Sequence, residues 1–222
     1  MKNLQNYNLK QYSTKANNDI ELTSLQKEVL VGHILGDGHI QQTRPTFNAR
    51  IIAKQSTIHT EFLQHLYDIF ESLCNSPPKI TQTFYKKTGN IHESISFTTR
   101  SLPCLNIYRK LFYNDKVKVV PSNIDELLTP IGLAIWIIGD GSKVHNFDSL
   151  LFHTGLFTLD DIQLLIKALK LNFDIDCTYQ FRRFSSKNIK IYCIYVRTKS
   201  INKLRKLVTP HIVPSILYKI GL

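Results

Sequence analysis

One nine-residue pattern occurs twice in this chain and limits what it can fold into. Leu30-Val-Gly-His-Ile-Leu-Gly-Asp-Gly38 returns 103 residues later as Leu133-Ala-Ile-Trp-Ile-Ile-Gly-Asp-Gly141. Each copy is an apolar stretch that ends in Gly-Asp-Gly. An internal repeat at this distance, in a chain of 222 residues, predicts two related halves of about 100 residues each.

The segments after the two copies follow one order. Two strand-like pieces, an amphipathic helix, two more strands around a turn and a last helix come after each Gly-Asp-Gly. In the first half these are residues 39–43, 47–54, 60–73, 79–87, 91–99 and a helix from Ser101; in the second they are residues 143–146, 150–153, a helix capped by Thr158, 177–184, 190–198 and a helix from Ser200. The predicted fold is therefore α+β, with two pseudo-symmetric αββαββα halves. We place them at residues 23–122 and 123–222, after a polar N-terminal extension at 1–22.

The two repeated segments are predicted to be helices that pack on each other. Thr129-Pro130 is a favourable helix start, and Ile131 to Ile138 is apolar on every side, which is typical of a helix buried between two bodies. In the first copy Gly32 and Gly36 lie four residues apart, so another helix can approach closely. The second copy has Ile135 at the place of Gly32, and we expect looser contact there.

Each predicted motif helix ends with an aspartate, Asp37 or Asp140, at its negative end. An acid in the last turn is unfavourable by roughly 0.3–1 kcal/mol, and the chain accepts this twice. A divalent cation would reverse the sign, because two carboxylates and the helix-end carbonyls of Gly36 and Gly139 form an oxygen-rich site suited to Mg²⁺. Asp-Gly is also a common turn pair, so a turn role stays open.

The charge of the chain indicates a polyanionic partner. Lys and Arg number 28 against 17 Asp and Glu, a formal charge of +11, and basic residues lie within predicted strands. If that partner is DNA, metal ions at the aspartates would support phosphodiester hydrolysis. Lys118 and Lys219, 81 and 79 residues after the two aspartates, are candidates to stabilise the transition state, although a solvated surface role is equally open.

Several other classes of protein are excluded. No apolar run approaches the roughly 18–20 residues that a bilayer span needs, so no membrane partner is expected. The first 23 residues are polar and lack the apolar stretch of a signal peptide. The four cysteines form no C-x-x-C pair and are too sparse for a disulfide framework.

From about Leu22 to Ile220, the sequence resembles the LAGLIDADG homing endonucleases in their single-chain, two-motif form. The resemblance implies two saddle-shaped antiparallel sheets in the DNA major groove, on either side of a central helix pair. It also implies a long, nearly asymmetric target, cleavage of both strands across the minor groove with short 3′ overhangs, and Mg²⁺ held by one acid from each motif. Those acids are Asp37 and Asp140, which would hold two or three ions.

The resemblance suggests further site residues. Gln55 occupies a position where many family members have a polar residue near the metal-bound water. His59 occupies another position that is commonly polar in the family. In the second half the matching place falls near Gly155, beside His153 and Thr154, so we expect unequal sites. Lys118 and Lys219 match the basic active-site positions of the family.

The polar sides of the strands are predicted to contact DNA, some residues at bases and others at phosphates only. The fused halves predict a monomer, and abundant Ile, Lys and Asn suit an AT-rich mitochondrial or chloroplast genome. Two alternatives remain: an intron RNA-splicing maturase and a catalytically silent DNA-binding protein. The candidate DNA contacts are Arg44, Arg50, Lys54, Lys86, Lys87, Thr98, Lys143, Arg182, Arg183, Lys190 and Arg197.

Overall fold

The computed structural model describes residues 19–85, 89–186 and 188–222. Lys86 and Lys87, and most of the predicted N-terminal extension, lie outside these ranges. The helices are α1 (Ser24–Leu35), α2 (Thr60–Phe70), α3 (Asn106–Phe112), α4 (Ile124–Leu127), α5 (Pro130–Asp140), α6 (Leu159–Phe173) and α7 (Thr198–Val208). The strands are β1 (His39–Gln41), β2 (Arg50–Ser56), β3 (Lys79–Tyr85), β4 (Asn90–Thr98), β5 (Tyr113–Asn114), β6 (Val117–Lys118), β7 (Gly141–Lys143), β8 (Leu150–Phe152), β9 (Cys177–Phe184) and β10 (Lys190–Val196).

Each half contains a four-stranded antiparallel sheet with the same strand order. The first sheet runs β1-β2-β4-β3 and the second runs β7-β8-β10-β9. The repeated order confirms the predicted α+β fold class, with helices and antiparallel sheets in both halves. The residue at which one half gives way to the other stays a prediction.

One long helix covers the inner face of each sheet. In the first half Phe62, Leu66 and Phe70 of α2 are buried, as are Ala53 and Phe97 of the sheet. Spacing of four residues places the three α2 side chains on one face of the helix, which explains why the amphipathic pattern predicts it. Each such buried side chain contributes roughly 1.5–3 kcal/mol of hydrophobic stabilisation.

The corresponding helix of the second half, α6, has a well-formed N-terminus. The Thr158 hydroxyl accepts a hydrogen bond from the Asp161 amide at 3.2 Å, and the Asp161 carboxylate accepts one from the Thr158 amide at 3.0 Å. This reciprocal capping box satisfies two amides that the helix itself leaves unpaired. The cap predicted at Thr158 is confirmed.

The backbones of the motif helices α1 and α5 are in direct contact at two pairs of glycines. A Cβ added to Gly32 would lie 2.0 Å from the Gly132 carbonyl oxygen, and one added to Gly36 would lie 3.3 Å from the Gly139 Cα. The expectation of looser contact at Ile135 is therefore wrong, because Gly132, one turn earlier, supplies the small surface that Gly32 needs. Residues 132–138 of α5 are all buried, as the continuous apolar run predicts.

The two motif helices end differently. Asp140 is the last residue of α5, whereas α1 ends at Leu35 and Asp37 lies beyond it. The prediction that Asp37 occupies the last helical turn is therefore wrong. The Gly38 amide donates to the His33 carbonyl at 2.7 Å, and a Cβ on Gly38 would lie 2.3 Å from that oxygen. The tight turn around Asp37 thus requires glycine at 38.

The halves also diverge at their C-terminal ends. In the first half α3 leads into the hairpin of β5 and β6, and in the second half α7 leads into a 3₁₀ helix, Pro214–Ile220. Across the described ranges no helix is both long and apolar enough to cross a bilayer. The four cysteines are free thiols.

Candidate active site

The ends of the two motif helices bring both aspartates into one cavity of about 770 Å³. A Cβ on Gly139 would lie 3.1 Å from the Asp37 backbone nitrogen and 3.1 Å from the Gly36 Cα, so the two Gly-Asp turns touch. Asp37 is exposed and Asp140 is half-buried. The close helix packing therefore fixes where the two carboxylates meet.

The cavity is electrostatically unfavourable for a second negative charge. Burial, and next the neighbouring charge of Asp37, raise the pKa of Asp140 to about 7, although Lys118 and Lys219 act in the opposite direction. Like charges close together in a partly dry site disfavour ionisation of one of them. A bound cation would relieve this repulsion.

Each half also contributes one lysine to the helix ends. Lys118, in β6, donates from Nζ to the carbonyl oxygens of Ile34 at 2.9 Å and Gly36 at 2.7 Å. Lys219, in the 3₁₀ helix Pro214–Ile220, donates to the carbonyls of Ile138 and Gly139, the latter at 3.2 Å. The two lysines therefore occupy carbonyls that the helices leave unpaired.

Both lysines are half-buried, and neither is a solvated surface charge. Burial lowers the pKa of Lys118 and of Lys219, while the two aspartates raise both values. The structure thus brings together all four charged residues that the repeat singled out. Because each lysine interacts with both aspartates, the two halves form one electrostatic site.

Asp37 has a polar side-chain neighbour from the sheet of the first half. Gln55, near the end of β2, donates from Nε2 to Asp37 Oδ2 at 3.2 Å. His59 lies close to the same group: burial, followed by the positive charge of Lys219, lowers its pKa, and Asp37 acts in the opposite direction. The first half thus places an amide against its aspartate, and His59 is within range of the charge of Asp37.

The second half arranges different groups near Asp140. Strand register places Thr154 where the first half has Gln55, and its hydroxyl donates to the Tyr192 carbonyl at 3.1 Å. His153 Nε2 lies 2.8 Å from Ser142 Oγ, and the His153 amide donates to the Asp140 carbonyl at 2.9 Å. Gly155 lines the cavity. The side chains around the two aspartates therefore differ, in the way the sequence suggests.

Three predicted DNA contacts of the first half share the polar face of its sheet. Thr98 pairs with Ile52, and Arg50 and Lys54 lie two residues on either side of Ile52 in β2. Arg50 donates to Gln41 Oε1 at 2.8 Å, so its direction is set by a neighbouring strand. Among the described residues of this face, the register places no Asp or Glu.

Arg182 and Arg183 line the cavity that also contains the two aspartates. Their prediction as DNA-base contacts does not include this place near the candidate active site. In β9 a register shift opposite Ile191 and Tyr192 leaves Arg182 without a cross-strand partner. Such a bulge re-aims consecutive side chains, and period-two patterning cannot reveal it. The sequence therefore identifies the two arginines but not their place.

The other described DNA-contact candidates lie in different parts of the structure. Lys143 pairs with the fully buried Leu150, so it lies on the inner side of its sheet, at the edge near Gly221, and not on the polar face. Lys190 pairs with Phe184 at the far end of the second sheet. Arg44 lies in the β1–β2 loop over the Phe47 ring, and Arg197 follows β10 as an exposed residue.

The donors present fit a hard divalent cation. Two carboxylates, Asp37 and Asp140, face one cavity, and oxygen ligands are those that Mg²⁺ prefers. The carbonyl oxygens of Gly36 and Gly139 accept hydrogen bonds from Lys118 and Lys219, and each has a second lone pair for a cation. Within residues 19–85, 89–186 and 188–222, no group of three or more His, Cys, Asp or Glu side chains is placed to hold a metal. A zinc-type site of nitrogen and sulfur ligands is therefore not formed by these residues.

The chain matches known proteins over most of its length. Residues 27–204 match the model of the LAGLIDADG DNA endonuclease family. The chain is 31% identical to the cytochrome b mRNA maturase bI2 of Debaryomyces hansenii, over 87% of this chain and 72% of that protein. It is also 31% identical to the bI2 maturase of Saccharomyces cerevisiae, over 87% of this chain, and spans 46% of that relative's length.

A further relative is the DNA endonuclease I-ChuI of Chlamydomonas applanata, 28% identical over 91% of this chain and 97% of that protein. Among solved structures, the homing endonuclease I-WcaI bound to its DNA recognition sequence superimposes with a TM-score of 0.83 and 24% identity, covering 96% of this chain and 91% of that one. I-DmoI with nicked target DNA and manganese gives a TM-score of 0.52 at 13% identity, covering 87% of this chain and all of that one. At these identities the structural matches show the fold alone, and the family match carries the assignment. With two motifs, the expected fold and a match over residues 27–204, the chain belongs to the LAGLIDADG DNA endonuclease family.

Proposed function

We propose that this protein is a site-specific endonuclease that cuts both strands of a long, nearly asymmetric DNA target and leaves 3′ overhangs. The observation that carries the proposal is that Asp37 and Asp140 share one cavity with Lys118, and that both aspartates interact with Lys219. Each half supplies one aspartate and one lysine, so the site has one such pair for each of two scissile phosphates.

The faces of the sheets support DNA as the substrate. Arg50 and Lys54 lie on a face whose described residues include no acid, and Arg182 and Arg183 extend the positive surface in the second half. Acidic residues of the first half are instead exposed on α2, on the opposite side of the sheet, as with Glu61 and Asp68. A sheet face with positive charge and no acid suits a polyanion that lies across both sheets.

Asp37 and Asp140, with the carbonyl oxygens of Gly36 and Gly139, would hold two or three Mg²⁺ ions. When bound, such ions lower the pKa of a coordinated water and stabilise the attacking and leaving oxygens of the displacement. Lys118 and Lys219 place positive charge where the phosphate becomes more negative. Gln55 donates to Asp37 through Nε2, so its Oε1 can accept a hydrogen bond from a water and orient that water.

The experiment that tests this function is a cleavage screen. Plasmids carrying randomised or intron-insertion sequences are incubated with the protein and Mg²⁺, and cut molecules are recovered to define the target. Asp37→Asn and Asp140→Asn should each lower the cleavage rate by about a thousandfold or more, while binding measured in Ca²⁺ persists. Asp68→Asn, on the exposed side of α2, is the matched control and should cut at the wild-type rate. Cleavage retained by both site variants would refute the metal assignment.

RNA binding in intron splicing is a second candidate function, favoured by the two maturase relatives and by a group of exposed aromatic side chains in β9. In β9, Tyr179, Phe181 and Phe184 are 45–51% exposed, and the Phe181 and Phe184 rings meet edge-on at 5.1 Å. Exposed aromatic rings are typical platforms for unpaired RNA bases. Phe181→Ser should weaken binding of the host intron transcript and leave DNA cleavage unchanged. Asp37→Asn should abolish DNA cleavage and leave transcript binding unchanged. If Phe181→Ser leaves transcript binding unchanged, this surface has no RNA role.

We also propose that the protein is a monomer encoded in an organelle genome. Each half supplies one aspartate and one lysine, so one chain contains a complete site. Light scattering during size-exclusion chromatography should give about the mass of one chain, 25.6 kDa. A dimer at micromolar concentration would contradict this.

A further inference from the structure

Lys118 lies opposite a tyrosine, Tyr113, that has no part in the sequence repeat. In the β5–β6 hairpin Tyr113 pairs directly with Lys118, so the two side chains leave the hairpin on the same side. Tyr113 is 7% exposed, and its hydroxyl accepts a hydrogen bond from the Ile40 amide at 3.1 Å. Ile40 lies three residues after Asp37. The hydroxyl therefore connects the hairpin that carries the lysine to the strand that follows the aspartate.

The tyrosine ring is held from a second direction. The Arg109 guanidinium lies 4.1 Å from the centroid of the Tyr113 ring, and Arg109 Nη2 donates to the carbonyl of Asp115 in the hairpin turn. His39 meets the ring edge-on, with 3.3 Å between Nδ1 and the tyrosine hydroxyl. The ring thus has contacts from α3 and from β1, and Arg109 also binds the turn of the hairpin. The hairpin cannot shift along β1 without breaking them.

The second half holds its lysine in another way. Lys219 lies in the 3₁₀ helix Pro214–Ile220, which closes with the Gly221 amide bonded to the Tyr218 carbonyl at 3.1 Å. Arg205 of α7 donates from Nε to the Ile220 carbonyl at 2.7 Å. Both ammonium groups donate to two helix-end carbonyls, but the segments that carry them are held differently. The segment of Lys219 is bound by Arg205, and the hairpin of Lys118 is bound through the Tyr113 hydroxyl.

We propose that Tyr113 is a positioning residue which, through the Ile40 amide, sets the distance between Lys118 and the Asp37 end of the site, and so controls the hydrolysis of one DNA strand selectively. The inference rests on the proposed nuclease function. A lysine that is displaced by a fraction of an ångström keeps its charge but stabilises the transition state less well. The effect is confined to the strand that Lys118 serves, because Lys219 has separate support.

The test uses Tyr113→Phe, which removes one oxygen, and a target labelled differently on each strand. The strand that Lys118→Met slows should be cut about tenfold more slowly by Tyr113→Phe, with the other strand within about twofold of wild type, so nicked DNA accumulates. Target affinity in Ca²⁺ should stay unchanged. Tyr67→Phe is the matched control, since Tyr67 is similarly buried in the same half but packs edge-on against Phe97 of β4. Arg109→Met is a second variant and should bias the strands in the same direction.

Two further measurements separate positioning from general weakening. In the Lys118→Met background Tyr113→Phe should cause no additional loss, because residues that act through one group are not additive. Hydrogen exchange should quicken at Ile40 and across residues 113–119, with residues 214–220 unchanged. Equal slowing of both strands, or an unchanged strand ratio, overturns the proposal. If the wild-type protein cuts no DNA, the nuclease function itself has failed, and the exchange pattern still reports whether Tyr113 fixes the hairpin.

Discussion

The two halves share a sheet order and a motif but support their aspartates differently. Asp37 is exposed, lies beyond its helix and accepts a hydrogen bond from Gln55. Asp140 is half-buried at the last position of its helix, and burial raises its pKa to about 7. The repeated backbone thus determines where the carboxylates meet, and burial together with the charge of Asp37 determines how easily Asp140 becomes charged. Duplicated folds can keep two positions symmetric while their chemistry diverges.

The two lysines give the largest expected difference between the halves. We expect Lys118→Met and Lys219→Met each to slow one strand by about a hundredfold, because each removes a cation from one side of a shared site. The two variants should accumulate nicked DNA with the nick in opposite strands. Gel analysis of end-labelled target in Mg²⁺ measures both rates.

Lys206, in the last turn of α7, provides the control, since Lys206→Met removes the same charge away from the cavity. That variant should keep the wild-type strand ratio and lose only some affinity at moderate salt. If Lys118→Met and Lys219→Met slow the same strand, the assignment of one lysine to each phosphate is wrong.

The difference in burial of the aspartates predicts a difference in stability without metal. Asp140→Asn should raise the free energy of unfolding at pH 8 in EDTA. A pKa change from 3.8 to about 7 corresponds to no more than about 4 kcal/mol, and partial exposure reduces the expected gain to about 2 kcal/mol. Thermal unfolding should show a rise of about 5 °C. Asp37→Asn should give a smaller gain, because it removes only the second cause of the shift.

The pH dependence of that gain has a definite sign. Folded protein retains the Asp140 proton up to about pH 7, whereas the unfolded chain releases it near pH 4, so wild-type stability falls as pH rises between these values. The advantage of Asp140→Asn should therefore be absent below about pH 4, grow up to pH 7 and stay constant above it. An advantage that is largest at acidic pH would contradict the buried-charge account.

Much of this fold was predictable from sequence, because the repeat and its periodicity are local signals. The buried run from Ile131 to Ile138, the helix capped by Thr158 and the strands around both hairpins follow from spacing of three to four residues or of two. The meeting of Asp37 and Asp140 follows from packing two such helices. The elements depend on neighbours in the chain, and the meeting of the aspartates depends on the repeat of one such element.

What sequence could not provide depends on contacts between distant segments. The Gly132 that faces Gly32 lies outside the nine-residue motif, so the motif alone indicates looser packing than the structure has. The bulge at Arg182 changes the direction of a side chain without any change in composition. Tyr113 meets Ile40 across 73 residues, and nothing near either residue announces the contact. Contacts between distant segments are therefore not predictable from local sequence patterns.

The smallest expected effect concerns the neighbours of the aspartates. Gln55→Ala removes the amide that contacts Asp37, and we expect about a tenfold slower cut of one strand, since orientation of a water, and not charge, is lost. Ser142→Ala removes the hydroxyl beside His153, which contacts Asp140 only through its main chain, so we expect less than about a threefold change. Single-turnover rates on the labelled target measure both. A larger loss for Ser142→Ala than for Gln55→Ala would reverse the comparison, since it would place the more important water-orienting group beside the buried aspartate.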